Sequence, residues 1–300
     1  MGFLLAHLSD AHIGPLPKPR LRELAGKRLT GYVNWRRGRD RTHDMAALGA
    51  IVADLRAQRP DHVAMTGDVL NLALPAEFPP AVAWLETLGD AADVSFTPGN
   101  HDAYVRKASG RLASAFAPFT TGDDGVAAVF PYLRRRGRVA LIGLSSGVPR
   151  APFVASGRRG AEQCAGLATL LRRAREDGLA RVVMIHHPPH RSGSRAGRGL
   201  VDARAFEAAI ATEGAELVLH GHNHRASVAH VASARCGLAS GGAVPVVGVP
   251  SASAMGRLAR AAYHLFDIDG APGTWRISCV RRAASREAPV AVAETAAFSV

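Results

Sequence analysis

The sequence has few of the features that mark secreted, membrane-spanning or disulfide-stabilised proteins. Its 300 residues include three widely separated cysteines, Cys164, Cys236 and Cys279. An odd number without Cys-x-x-Cys spacing predicts neither a disulfide framework nor a thiolate metal site. No apolar run approaches the roughly 20 residues that a membrane helix needs, and the first residues lack the basic region and cleavage site of a signal peptide. We therefore expect a cytoplasmic protein.

Two common catalytic motifs are also absent. The chain contains no Gly-x-Ser-x-Gly elbow, so acyl transfer by a serine hydrolase is not expected. It contains no GxxxxGK[ST] loop, which argues against P-loop nucleotide chemistry. The composition, 47% hydrophobic and 21% charged, is that of a globular protein rather than a disordered chain.

Acidic residues are in short supply, and the excess positive charge is unevenly distributed. The chain has 37 Lys and Arg against 25 Asp and Glu, a formal charge of +12. Residues 18–41, called the basic insert below, hold nine basic and two acidic residues and so carry +7 of it. Leu21, Leu24 and Arg28 recur at helical spacing there, which predicts an amphipathic basic helix. Four arginines at 134–138 form a second basic cluster. Both favour anionic partners, although such arginines can also serve only as a solvated surface.

Strands and helices alternate along most of the chain, which predicts an α/β fold. Short apolar runs at 3–8, 62–66, 93–97, 138–144, 181–185 and 216–219 read as strands. Helical periodicity covers 43–58, 81–88, 160–176 and 202–212, with Asp202 as the expected N-cap of the last helix. The region after 227 is predicted to be β-rich. We expect one domain over 1–285 that includes the basic insert, and a loosely held tail over 286–300.

Polar clusters follow five of these strands. In α/β sheets the ligand site lies beyond the carboxyl ends of the strands, so these clusters should meet at one rim. Together they supply Asp, Asn and His donors without a thiolate, a set that suits Mn²⁺, Fe, Zn²⁺ or Mg²⁺. The clusters are Asp10-Ala11-His12, Gly67-Asp68, Gly99-Asn100-His101-Asp102, His186-His187-Pro188-Pro189 and Gly221-His222-Asn223-His224.

The order and spacing of these five blocks, from Asp10 to His224, resemble the calcineurin-like metallophosphoesterase superfamily. The His-His-Pro-Pro block and the compact length look most like its bacterial cyclic-nucleotide phosphodiesterase branch. The resemblance implies a four-layer αββα sandwich and a site for two divalent metal ions, with Mn²⁺ or Fe and Zn expected.

The resemblance also implies a role for each motif residue. One ion would be held by Asp10, His12, Asp68 and His224, and the other by Asp68, Asn100, His186 and His222, so that Asp68 bridges. His186 is chosen over His187 because it satisfies the family's His-x-Pro pattern. His101 would be catalytic, stabilising the substrate phosphate or protonating the leaving oxygen. Asp102 would be its catalytic partner and orient it through the other ring nitrogen, and Asn71 is expected nearby.

The expected function is hydrolysis of a phosphodiester, cyclic-nucleotide-like or another small diester, by metal-activated hydroxide. The basic insert is not explained by such a substrate. It favours an alternative, a pyrophosphatase or phosphodiesterase on the inner membrane surface that acts on a lipid such as a UDP-diacylglucosamine, with the insert contacting anionic headgroups. A nuclease is a further alternative that would use the positive charge. A catalytically dead, metal-bound scaffold is disfavoured because no motif residue is missing. The oligomeric state is not predicted.

Overall fold

Two six-stranded sheets form the centre of the protein. The computed structural model describes residues 2–127, 129–240, 242–256, 260–284 and 290–296. The order of layers is helices, sheet, sheet, helices, which confirms the predicted four-layer αββα sandwich. Within the described residues no helix is both long and apolar enough to cross a bilayer.

The first sheet has the order β12-β11-β10-β1-β2-β3. β1, β2 and β3 are parallel, whereas β10, β11 and β12 are added by antiparallel pairing. Its strands are β1 (Phe3–Leu8), β2 (His62–Met65), β3 (Val94–Phe96), β10 (Ala262–Asp269), β11 (Arg276–Ala283) and β12 (Ala291–Ala296).

The second sheet has the order β4-β5-β6-β7-β9-β8. Its four central strands are parallel, and the edge strands β4 and β8 are antiparallel to them. The strands are β4 (Tyr132–Arg136), β5 (Val139–Gly143), β6 (Ala180–Met184), β7 (Leu217–His220), β8 (Ser227–Ala232) and β9 (Ala243–Gly248). The central strands are almost entirely buried, as expected for parallel strands covered on both faces.

The α-helices lie outside the two sheets or in the loops near the site. They are α1 (Lys27–Arg36), α2 (Met45–Gln58), α3 (Phe78–Glu86), α4 (Ser109–Ala115), α5 (Ala117–Thr120), α6 (Ala161–Glu176) and α7 (Ala203–Glu213). α2 and α3 pack their apolar faces on the first sheet. α6 and α7 cover the second sheet through residues such as Leu171 and Phe206. A separate apolar cluster that includes Leu5, Val182 and Phe266 fills the space between the sheets.

One prediction about local structure is wrong, and another is confirmed in position only. The expected single helix through Leu21, Leu24 and Arg28 is a 3-10 turn at Leu21–Leu24 followed by α1, because Gly26 has a φ of 72° and interrupts the helical path. Asp202 occupies the N-cap position of α7 but makes no cap bond there. Its carboxylate instead accepts hydrogen bonds from the backbone N–H groups of Arg159 and Gly160.

Two strands were not predicted from the sequence. β4 contains three of the four clustered arginines, and its charge hides the alternation in which Tyr132 and Arg134 are buried. β12 pairs with β11 within the segment expected to be a loosely held tail. The remainder of that tail, 286–289 and 297–300, lies outside the described residues.

Candidate metal centre

All five polar clusters meet at one rim of the sandwich, beyond the ends of strands from both sheets. The first sheet supplies Asp10 and His12 after β1, Asp68 after β2, and Asn100 to Asp102 after β3. The second sheet supplies His186 after β6, and His222 and His224 after β7. These side chains surround a cavity of about 370 Å³ whose lining includes Asp68, Asn100, His101, His222 and His224.

The donors fall into overlapping groups in which the ligand atoms lie within 4.8 Å of one another. One group is Asp10, His12 and His224, and another is Asp10, Asp68 and His186. His224 Nε2 lies 3.2 Å from Asp10 Oδ1, and His186 Nε2 lies 3.2 Å from Asp68 Oδ2. His222 Nδ1 lies 3.3 Å from His186 Nε2. The carboxylates and imidazoles are therefore close enough to share cations.

Backbone carbonyls set the direction in which the imidazoles present their lone pairs. The Nδ1 of His12 is 3.1 Å from the Leu70 carbonyl, and that of His186 is 2.6 Å from the Thr66 carbonyl. A carbonyl only accepts, so Nδ1 donates its proton in both rings, and Nε2 is the nitrogen left for a cation. In both rings Nε2 is directed at the cluster. The same arrangement orients metal-bound histidines in proteins generally.

His187 differs from His186 although the two are adjacent and both are buried. His187 shares a donor group with His186 and His222. However, its Nδ1 is 2.8 Å from Ser146 Oγ, and its Nε2 is 3.0 Å from the Ala155 carbonyl. Both ring nitrogens of His187 thus have partners outside the donor cluster, whereas Nε2 of His186 faces Asp68 within it. This supports the choice of His186 as the ligand.

The buried donors also include atoms without a hydrogen-bond partner. Asn100 Oδ1 and His222 Nε2 are buried without a hydrogen-bond partner, and buried Asp10 Oδ1 has only the ion-pair contact with His224. Leaving such atoms unpaired costs about 1–3 kcal/mol each. All three belong to the proposed ligands, and their chemistry suits a divalent cation, so the residues present fit the metal pair that the sequence predicts.

The backbone at the site is strained. Five of the proposed ligands have a left-handed φ, an uncommon conformation for residues other than glycine, with values of 55° at Asp10, 43° at His12, 56° at Asp68, 69° at His222 and 55° at His224. Each such residue costs on the order of 1 kcal/mol or more, and these conformations persist mainly at functional sites. Arg59, Ala73, Phe153 and Ser192 also have a left-handed φ, so this backbone conformation is shared by five of the seven proposed ligands without being confined to them.

Glycines in the motifs allow the clusters to approach one another. A Cβ at Gly99 would overlap the carboxylate of Asp68, and a Cβ at Gly221 would overlap Ser9 and Asp10. The Gly-Asn-His-Asp and Gly-His-x-His patterns thus need glycine for close packing across the site.

The surroundings of Asp68 favour its ionised carboxylate. Burial alone would raise the pKa of Asp68, but His186 and the other nearby imidazoles lower it well below its usual range. Burial likewise opposes the charge on His186, yet Asp68 raises the pKa of that ring to about 9. The two groups therefore form an ion pair in the metal-free protein, and a cation between them would take the place of the imidazolium proton.

The expected contact between Asp102 and His101 is wrong. Asp102 accepts hydrogen bonds of 2.7–3.0 Å from the backbone N–H groups of Asp68, Val69, Leu70 and Gly99. These four donors use its oxygens to brace the loop that carries Asp68. His101 Nδ1 is held instead by the Asn71 carbonyl at 2.6 Å, so Asn71 does lie beside the site, through its backbone. The Nε2 of His101 thereby faces the cavity.

Three residues around the cavity were not assigned to the site from the sequence. Arg39, from the basic insert, places Nη1 2.9 Å from His101 Nε2 and Nη2 3.1 Å from His12 Nε2. His43 lies beside His12 with a ring separation of 4.5 Å, and its Nδ1 is 2.8 Å from Ser253 Oγ. Arg198 lines the cavity from the loop before α7. Neither spacing nor motif distinguishes these residues from their neighbours in the sequence.

The basic insert is attached to the loops of the site by three of its nine cations. Besides Arg39, Lys27 Nζ lies 4.4 Å from the centre of the Tyr104 ring. The Arg28 guanidinium donates to the carbonyls of Leu72 and Ala73. The other six basic side chains of the insert are exposed: Lys18, Arg20, Arg22, Arg36, Arg37 and Arg41.

Comparisons with known proteins identify the family and the fold. A family model described as calcineurin-like phosphoesterase matches residues 3–226. No curated protein sequence matches the chain. A dimetal phosphatase from Danio rerio is similar in fold, with a TM-score of 0.60 and 13% identity over 98% of this chain and 99% of that one.

Two longer proteins contain a similar fold. The purple acid phosphatase PPD1 from yellow lupin aligns with a TM-score of 0.57 and 12% identity, over 98% of this chain and 53% of that one. A 5'-nucleotidase precursor from Thermus thermophilus aligns with a TM-score of 0.50 and 14% identity, over 93% of this chain and 54% of that one. The chain thus spans about half the length of these two proteins.

Proposed function

Since the chain belongs to the calcineurin-like phosphoesterase family, we propose that its polar cavity hydrolyses a phosphodiester with the help of two divalent metal ions. Membership of the family implies hydrolysis of phosphoesters in general. The proposal of two metal ions is supported by the convergence of seven Asp, Asn and His donors from two sheets, some of whose buried atoms have no hydrogen-bond partner.

The donor groups overlap through Asp10 and His186, and we propose that they form two metal positions that share Asp68. We assign one to Asp10, His12, Asp68 and His224, and the other to Asp68, Asn100, His186 and His222. Cations bound there supply charge neutralisation for the phosphoryl oxygens and activate water as the nucleophile. Mn²⁺ suits this nitrogen and oxygen set, as do Fe and Zn²⁺.

His101 is the residue we assign to the reacting group. Its Nδ1 is fixed on the Asn71 carbonyl, and Nε2 faces the cavity beside Nη1 of Arg39, so a phosphoryl or leaving oxygen there would meet the pair of His101 and Arg39. Asp102 acts one step further away, because its four backbone hydrogen bonds hold Asp68 and Gly99 in place. We therefore treat Asp102 as a positioning residue and not as the partner of His101.

The test compares metal content with hydrolysis in the full chain. Asp68→Ala should lose both ions, measured as manganese per chain, and all hydrolysis of bis(p-nitrophenyl) phosphate. His101→Ala should keep both ions and lose most turnover. Asp40→Asn, an exposed carboxylate in the basic insert, is the matched control and should change neither. Two metals per chain in Asp68→Ala would refute the bridging assignment. Cleavage of p-nitrophenyl phosphate but not of the diester would refute the diester substrate.

One observation favours the second candidate, a membrane-surface enzyme that acts on a lipid-linked phosphoester. Large apolar side chains are exposed on two segments that both reach the cavity. On the insert they are Leu21 (91% exposed), Leu29 and Val33, and on the loop before Ala155 it is Phe153 (92% exposed). Exposed apolar side chains next to six exposed cations are the combination that binds anionic lipid surfaces.

Vesicle binding tests this candidate separately from catalysis. The full chain should sediment with vesicles that contain phosphatidylglycerol and remain free with vesicles of phosphatidylcholine alone. A Phe153→Ser variant should bind the anionic vesicles more weakly while it hydrolyses bis(p-nitrophenyl) phosphate at the unchanged rate. Absence of binding to anionic vesicles at low salt would remove the membrane candidate and leave the first proposal standing.

A further inference from the structure

Two arginines line the cavity, one partly buried and one exposed to solvent. Among its lining residues, formal charges other than those of histidine belong to Arg39, Asp68 and Arg198. Arg39 is half-buried and contacts His101 in the interior, whereas Arg198 is exposed and lies at the mouth. Arg39 belongs to the basic insert, and Arg198 belongs to the loop before α7.

Arg39 is held in place by acceptors that a substrate or a metal would change. The Nδ1 atoms of His12 and His101 both donate to carbonyls, so their Nε2 lone pairs accept from the two Nη atoms of Arg39. A cation bound to His12 Nε2 would exclude the contact between Arg39 and His12, because the single lone pair on that nitrogen can serve only one partner. The contact with His101 is compatible with the cation and keeps the guanidinium beside the residue assigned to the reacting group.

The remaining donors of Arg39 point to a phosphoryl group. A guanidinium has five N–H donors in a planar fork, a geometry that matches phosphate oxygens. His101 uses one of them. Arg39, Asp68 and Arg198 all line this one cavity. Burial lowers the pKa of Arg39, and the charges of Asp68 and Arg198 shift it in opposite directions.

We propose that Arg39 and Arg198 form an anion clamp with two levels. Arg39 binds the phosphoryl group that is cleaved, and Arg198 binds a second phosphate nearer the mouth. This inference rests on the proposed function and narrows its substrate to a diester in which a second phosphate adjoins the first, a pyrophosphate linkage. A substrate with one phosphate fills the inner level and leaves Arg198 in water.

The test uses the manganese-loaded full chain and two diesters, bis(p-nitrophenyl) phosphate with one phosphate and UDP-glucose with two. Arg39→Ala should lower kcat/KM on both by at least about tenfold, the loss expected for charge-assisted hydrogen bonds. Arg198→Ala should lower kcat/KM about fivefold on UDP-glucose alone, a smaller effect because the side chain is exposed. Arg41→Ala and Arg195→Ala, exposed arginines of the same two segments, are the matched controls and should change neither.

A binding measurement separates a substrate contact from a structural role. Inorganic phosphate, titrated calorimetrically into the manganese-loaded protein, should bind at least about tenfold more weakly to Arg39→Ala than to the wild type. Arg39→Lys should recover part of the loss, since it restores the charge without the fork. Manganese per chain should be the same in all variants.

The outcomes distinguish this inference from the proposed function. Phosphate affinity in Arg39→Ala equal to that in Arg41→Ala would overturn the inner level. An equal loss on both diesters in Arg198→Ala, or no loss on either, would overturn the outer level. If the wild type binds manganese and phosphate but cleaves neither diester, the proposed function fails, and the phosphate titration still decides the role of Arg39.

Discussion

The two arginine-rich segments have similar compositions and opposite structural roles. In the 134–138 cluster, Arg134 is buried in β4 and donates four hydrogen bonds of 2.7–2.8 Å to the carbonyls of Ala91, Val94, Pro118 and Thr121. In the basic insert, six of nine cations face solvent, and Arg39 reaches the cavity. An anionic partner therefore remains a prediction for the insert alone, because Arg134 is used to hold the β4 edge against β3. Positive charge in a sequence does not reveal which of these roles it has.

The largest predicted effect tests the structural role of Arg134 and is a loss of stability in Arg134→Ala. Removing the guanidinium leaves buried carbonyls without donors, and the free energy of unfolding should fall by about 3 kcal/mol or more. Urea denaturation measures it. Arg135→Ala, the exposed neighbour, should change stability by less than about 0.5 kcal/mol. Equal effects of the two variants would remove the structural role of Arg134.

A smaller effect is expected on membrane binding. Arg20→Gln with Arg22→Gln should weaken binding to anionic vesicles by about 2 kcal/mol, roughly thirtyfold, because each cation near such a surface adds about 1 kcal/mol. Stability should not change, since both side chains are exposed. Arg135→Gln with Arg138→Gln is the control from the other cluster. A loss as large in the control would mean that net charge, and not the insert, determines binding.

The apolar part of the insert should contribute less than its charge. Leu21 is 91% exposed, so Leu21→Ala removes little packing in the folded protein. Vesicle binding should weaken by about 1 kcal/mol, from the methyl and methylene groups that leave the lipid interface. Sedimentation with the same vesicles, at high salt to suppress the charge contribution, measures it. Unchanged binding would mean that the insert contacts lipid through charge alone.

Arg282 provides an intermediate case, an arginine that stabilises the fold through an ion pair. It donates to both oxygens of Asp54 at 2.6 and 2.7 Å, and Tyr263 Oη donates to the same carboxylate at 2.6 Å. Partial burial would raise the pKa of Asp54, but these hydrogen bonds and the charge of Arg282 lower it overall.

The lowered pKa of Asp54 gives the smallest predicted effect. Since the folded pKa is depressed, the stabilisation is present above the unfolded pKa of about 3.9 and is lost as pH falls through the folded value. Thermal unfolding should show that Arg282→Gln costs less than about 1 kcal/mol at pH 7. The difference from the wild type should shrink below about pH 4. A constant difference across this range would argue against the ion pair.

The fold and the convergence of the motif residues could both be predicted from the sequence, because they depend on local patterns. Each cluster directly follows an apolar strand, as Asp68 follows β2, so strand order alone brings the clusters to one rim. The match of residues 3–226 to the family model confirms the family that the motifs indicate. The individual ligand and catalytic assignments remain predictions until metal content and turnover are measured.

The contacts that the sequence could not show are those between segments far apart in the chain. Arg39 meets His101 across 62 residues, and Asp102 meets the backbone of Asp68 across 34. The acceptor for His101 is the carbonyl of Asn71, an atom that every residue carries. The interruption of the insert helix depends on the left-handed backbone at Gly26, which periodicity does not register. These features follow from tertiary packing and not from the local pattern.

The division of the site between two sheets links metal binding to the stability of the contact between those sheets. Asp10, His12, Asp68 and Asn100 extend from the first sheet, and His186, His222 and His224 from the second, so each bound cation would act as a cross-link that staples the sheets at one end. By mass action, the folded state then gains stability with the logarithm of free metal concentration. Chelation would open the sandwich from this end first, and amide exchange should rise there before it rises beneath α2 or α7. The metal pair would thus contribute to the stability of the folded site as well as to its chemistry.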